Sequence, residues 1–106
     1  MKPAIRSALA DADIDSAVDF YLAEAPSVAT AFIDAVERAT RHVEANPGSG
    51  SPRYALELNI PDLRFWPLRR FPYALFYIEH PEHLHVIRCV HMSRDLPPTL
   101  QEEKTR

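Results

Sequence analysis

One cysteine, two glycines and no long apolar run set the first limits on this 106-residue chain. Cys89 has no partner for an internal disulfide, and its neighbours Val86, Ile87 and Val90 mark it as a small buried hydrophobe rather than a nucleophile. No segment approaches the roughly 20 apolar residues of a membrane span. The opening Met1-Lys2-Pro3-Ala4-Ile5-Arg6 lacks the apolar core of a secretory signal, so a cytoplasmic location is expected. Three motifs are also missing: G-x-x-x-x-G-K-S/T, G-x-G-x-x-G and G-x-S-x-G. Their absence removes the usual supports for nucleotide binding and serine hydrolase chemistry.

What is present suffices for one modest core, since 46% of the residues are hydrophobic. The net charge of −3 speaks against nucleic-acid binding through bulk electrostatics, but the charge is uneven. Residues 1–50 hold four basic and eight acidic side chains, whereas residues 51–106 hold eight and seven. Five arginines fall between Arg64 and Arg94 against Glu79 and Glu82. They either make a local anion-attracting face or lie over an exposed sheet.

Periodicity gives the element order. Pro3 to Leu9 reads as a short first strand, with Asp11 as the N-cap of a helix. Ile14, Ala17, Val18, Tyr21 and Ala25 then share one helical face. Asp13, Asp15 and Asp19 sit in its early turns, where the helix dipole accounts for them without a catalytic role. Pro26 breaks the ladder and Ser27 is expected to cap a second helix. Ala29, Phe32, Ile33, Val36, Thr40 and Val43 repeat the helical spacing in it, and Asn46-Pro47-Gly48 ends it. Both glycines lie in Gly48-Ser49-Gly50-Ser51-Pro52, the only stretch read as flexible.

Alternation of Tyr54, Leu56, Leu58 and Ile60 predicts a strand or extended arm. Arg64 to Arg70 is a second extended segment, and Pro67 favours an edge position for it. Tyr73 to Ile78 and Val86 to Val90 are the strongest strands, joined through the His80-Pro81-Glu82-His83 turn as a central hairpin. The expected fold is α+β: a strand, an antiparallel helix hairpin, then a three- to four-stranded antiparallel sheet. After Pro97-Pro98 regular structure stops, giving one domain over residues 1–100 and a short flexible tail at 101–106.

Two clusters invite a chemical reading. His80, His83 and His85 suggest a metal, but His83 and His85 point to one strand face while His80 lies beyond Pro81, and no cysteine joins them. Neither metal nor cofactor is expected. His91-Met92-Ser93-Arg94-Asp95 places an imidazole and a guanidinium just past a central strand. They suit proton exchange and phosphate binding, or equally an Arg94 and Asp95 pair that merely ends the strand.

A wider pattern joins these pieces: Asp13-Ile14-x-x-Ala17-Val18, Gly48 to Arg53, Leu63-Arg64, Trp66-Pro67, Arg70-Phe71-Pro72-Tyr73, Phe76-Tyr77, Arg88 and His91-x-x-Arg94-Asp95. In order and spacing, from about residue 5 to Leu100, it resembles the ParE branch of the RelE/ParE toxin superfamily. The resemblance implies the toxin of a type II toxin–antitoxin pair, often called a plasmid-stabilisation protein, neutralised by a cognate antitoxin that wraps over it. Phe65, Trp66 and Phe71 beside Arg64, Arg69 and Arg70 give the aromatic and arginine mixture of an interface, and Arg94 joins them as a partner-binding candidate. Ordinary sheet packing would also account for the aromatics.

Members of the superfamily divide between ribosome-dependent mRNA cleavage and inhibition of DNA gyrase. For RNA cleavage this chain offers Arg64, Arg88, His91 and Arg94. The ribonuclease branch commonly carries a basic residue where Ala74 follows Tyr73, and a late tyrosine where none occurs beyond His91. The resemblance therefore favours a gyrase-binding toxin with no catalytic residues of its own, over an mRNA endoribonuclease or a partner-binding homologue without toxicity. Membrane contact and sequence-specific nucleic-acid binding are not expected.

Overall fold

The computed structural model describes residues 1–93. Arg94, Asp95 and the expected tail lie outside the described residues. Eight strand and helix segments follow the order β1 (Ala4–Arg6), α1 (Ala8–Glu24), α2 (Pro26–Ala45), a 3-10 turn (Pro47–Ser49), α3 (Arg53–Glu57), β2 (Leu63–Pro67), β3 (Tyr73–Glu79) and β4 (Leu84–His91). The α+β architecture is as expected.

Ser7, not Asp11, caps α1. Its hydroxyl accepts from Ala10 N at 3.0 Å and donates to Ile87 O at 2.8 Å. The pairing of β1 decides this, because Ser7 N is already bound to Val86 O. Asp11 sits in the first turn, paired on the surface with Arg6 at 2.6 Å. A single extended residue, Ala25, links the helices, and Pro26 opens α2 without any side-chain cap, Ser27 included. Proline suits that first position because its missing N–H would have no helical partner there.

The sheet order is β1-β4-β3-β2. β2, β3 and β4 are antiparallel as expected, while β1 runs parallel to β4, so the sheet is mixed. A slip in register between Phe76 and Tyr77 leaves a bulge in β4 beside Arg88. The near-continuous apolar runs of β3 and β4 have their reason in burial on both faces. On one face Phe32, Val36 and Val43 of α2 and Ala10 and Ala17 of α1 pack on Leu75, Tyr77, Leu84, Val86 and Cys89. On the other, Leu58, Ile60 and Leu63 pack on Ala74, Phe76, Ile87 and Val90.

That second layer corrects the expected strand at 54–60. Arg53–Glu57 is a helix because Tyr54 and Leu58 also satisfy the i,i+4 spacing of one helical face. Asn59, at φ 54°, ends it. Ile60 N bonds to Ala55 O at 3.0 Å and Asn59 N to Leu56 O at 3.1 Å, the paired closure of a helix C-terminus by a left-handed residue. Leu56 points into solvent, 93% exposed.

The stretch read as flexible is instead clamped. Tyr77 Oη donates to Pro47 O at 2.7 Å and accepts from Gly50 N at 3.0 Å. Ser51 forms a bridge with Phe65 through two backbone bonds of 2.9 and 3.0 Å. Pro67 does lie on an edge strand, as its missing donor suggested. Along the outward edge of β2, Leu63 N is bound to Ile60 O and both backbone groups of Phe65 to Ser51, while Pro67 has no N–H.

Candidate partner-binding groove

α2 and the chain from Trp66 to Phe71 form the two walls of a groove of about 810 Å³. Ala31, Ala35 and Ala39 recur every four residues along α2, so one face of that helix is low enough to leave an opening. At its far end the ring of His42 stacks on Trp66, with centroids 4.0 Å apart and planes 17° from parallel. His42 Nε2 is buried there without a hydrogen-bond partner among the described residues.

The opposite wall is a tight turn. Leu68 N bonds to Tyr73 O at 2.9 Å, and Arg70 takes a left-handed φ of 72°. Phe71 fixes the turn from beneath. Its ring meets Tyr21 at 5.1 Å and Phe32 at 5.2 Å, both edge-on. Arg69 and Arg70 are left exposed at the rim, facing Arg38 and Asp34 of α2.

The sequence candidates therefore separate. Trp66, Arg69, Arg70 and Phe71 come together in this groove. Phe65 lies on the other face of the sheet, packed with Tyr54 and Phe76 at 5.4 Å each. Arg64 directs one guanidinium nitrogen to Gly48 O at 3.2 Å and Gly50 O at 2.7 Å, bracing the same turn that Tyr77 holds. Arg94 lies outside the described residues. Sequence reading missed the contribution of α2, namely Arg38, His42 and the alanine row; the four-residue spacing of those alanines was the available signal.

A smaller cleft of about 390 Å³ lies between α1 and the end of β4. Its floor is an ion pair, and here Asp13 is more than a helix-dipole carboxylate. Arg88 Nε meets Asp13 Oδ2 at 2.7 Å and Arg88 Nη2 meets Oδ1 at 2.8 Å, while Cys89 N donates to Oδ2 at 3.0 Å. Arg88 is buried, 7% exposed. Burial, helped by the Asp13 charge, pushes the Cys89 thiol up to about 12, so it stays protonated and unreactive at neutral pH. His91 closes the cleft, with Nδ1 2.9 Å from Ser93 Oγ and its ring 5.0 Å from that of Tyr73.

The histidines of the β3–β4 turn sit closer than expected. His80 stacks on His83 at 4.9 Å and lies 6.2 Å from His85. Even so, among the described residues no group of three or more His, Cys, Asp or Glu side chains is placed to hold a metal ion. Nor is any described helix long and apolar enough to cross a membrane.

The fold is a helix hairpin laid over a four-stranded mixed sheet. It is shared with a chain of the solved "Chromosomal ParDE TA system from P. aeruginosa" at a TM-score of 0.73 and 21% identity, over 88% of this chain and 98% of that one. No curated protein sequence matches. The chain belongs to the family of ParE toxins of type II toxin–antitoxin systems, whose family model matches residues 5–96. A toxin of such a system has an antitoxin as its counterpart.

Proposed function

We propose that this toxin acts by binding DNA gyrase and halting replication, and that its cognate antitoxin silences it by covering the Trp66–Phe71 flank. The observation that carries the reading is the internal use of the arginines. Cleavage of RNA calls for cations free to meet a pentavalent phosphate. Arg88 is instead locked to Asp13 and Arg64 is spent on the carbonyls of the 48–50 turn. Ala74, at the position where the ribonuclease branch commonly has a basic group, is fully buried. The reading leaves no catalytic role for Arg64, Arg88, His91 or Arg94, and it assigns the protein's work to surface contacts.

Purified toxin added to gyrase should block supercoiling or accumulate cleaved DNA, and translating ribosomes given the same toxin should retain intact mRNA. Cleaved mRNA with unaffected gyrase would favour the endoribonuclease reading. Harmless overproduction of folded protein without antitoxin would favour a non-toxic partner-binding homologue.

A further inference from the structure

α1 carries charge of one sign. No lysine or arginine occurs between Arg6 and Arg38, and α1 itself holds Asp11, Asp13, Asp15, Asp19 and Glu24. Two of these are used within the molecule: Asp11 pairs with Arg6, and Asp13 with Arg88. Asp15, Asp19 and Glu24 make no ion pair among the described residues. Their placement works against the helix. Asp15 and Asp19 are like charges one turn apart, and Glu24 ends α1, where the dipole favours a cation and no basic residue stands.

Large apolar side chains are exposed in the same part of the helix. Phe20 is 54% exposed and Leu22 48%. At about 100° per residue, Leu22 stands on one flank of the crest that bears Asp15 and Asp19, and Phe20 on the other, over the cleft that it lines with Tyr73 and His91. An aromatic ring, an aliphatic side chain and unpaired carboxylates on one helix face describe their complement: a basic surface bearing arginine. A guanidinium can lie on the Phe20 ring while a neighbouring carboxylate pairs with it. The groove beside α2, rimmed by Arg38, Arg69 and Arg70, repels the same surface.

We propose that the outer face of α1, from Asp15 to Glu24, is the surface with which the toxin meets its target, and that it receives an arginine-bearing basic surface there with Phe20 as the anchor. This rests on the reading of gyrase as the target, and it adds the face and the chemistry of the contact. An enzyme that holds DNA carries basic side chains for the phosphates.

The test is titration of labelled toxin with purified gyrase, followed by fluorescence anisotropy. Asp15→Lys with Asp19→Lys, both exposed, should weaken binding about 100-fold, at roughly tenfold per lost charge pair. Phe20→Ala should weaken it about tenfold. Leu56→Glu, on the far side of the sheet, should leave it unchanged. All three variants should bind the antitoxin encoded beside the toxin as the wild type does, which also shows that they fold. In cells without antitoxin the wild type should arrest growth and the charge variant should not. If the charge variant fails to fold, Phe20→Ala decides alone. Full gyrase affinity in the charge variant overturns the proposal. Loss of antitoxin binding with gyrase binding kept does so too, because the face would then belong to the antitoxin. If the wild type spares gyrase, the gyrase reading fails by itself and growth decides here: arrest by the charge variant overturns the proposal, and harmlessness with antitoxin binding intact supports it. A wild type that spares both gyrase and growth overturns both.

Discussion

Tyr77 stands where residue 50 would carry a side chain. A β-carbon built at Gly50 would meet Tyr77 Cε1 and Cζ at 2.9 Å, and the phenol is fully buried between the Pro47–Ser49 turn and the core. The two residues therefore depend on each other: the glycine makes room for the ring, and the ring satisfies the turn.

Gly50→Ala should lower stability by about 1–3 kcal/mol through overpacking. Tyr77→Phe should cost about as much, because Pro47 O and Gly50 N lose their partner. Urea midpoints of the two single variants and the double variant check the coupling. The double variant should lose less than the sum, since removing the hydroxyl removes part of the clash.

Removing Asp13 alone should be severe. Asp13→Ala removes the carboxylate that meets the buried Arg88 guanidinium through two contacts, a loss on the order of 3–5 kcal/mol. Asp13→Leu with Arg88→Met removes both charges and should recover most of that loss, although Cys89 N still forfeits its acceptor. Thermal melts of the two variants beside the wild type would show the order. Equal destabilisation of the single and double variants would mean that the pair contributes through packing alone.

Alkali should unfold the protein in a window set partly by Cys89. Its thiol ionises near 9.0 when unfolded and at about 12 when folded, so the native state holds a proton that the unfolded chain has given up. The stabilisation is complete below pH 9 and is lost as pH rises toward 12, by at most about 1.4 kcal/mol per pH unit. Tyr77, raised mainly by burial, adds to the same limb. Cys89→Ala should flatten the dependence of the urea midpoint on pH above 9, and an unchanged slope would count against the thiol.

Asn59 should tolerate glycine and reject valine. Its φ of 54° suits glycine or asparagine, whereas a β-branched residue is strained there by roughly 1–2 kcal/mol. Chemical denaturation of Asn59→Gly and Asn59→Val would display the contrast.

Much of the fold was legible because burial writes itself as periodicity. The paired faces of α1 and α2 and the unbroken apolar runs of β3 and β4 could be read directly. What escaped was decided by contacts distant in sequence. Tyr54, Leu58 and Ile60 fit period two as well as a short helix, and only the sheet face beneath them and Asn59 behind them select the helix. Ser7 outcompetes Asp11 as a cap because β4, some 80 positions later, holds it in place. In the candidate site Trp66, Arg69, Arg70 and Phe71 were visible as a cluster of types, but the α2 wall that turns them into a groove was not. Arg64 and Arg88 carried the right chemistry for a phosphate, and no sequence rule revealed that their donors were already taken.

The central position of β4 governs when the molecule can exist at all. It is the last strand among the described residues, yet it lies between β1 and β3 and supplies the acceptors for the cap of α1. While translation is still short of residue 84, β1 has no neighbour and Asp13 has no arginine. Folding of the sheet therefore waits for β4, and a chain cut short before it lacks the strand that joins β1 to β3.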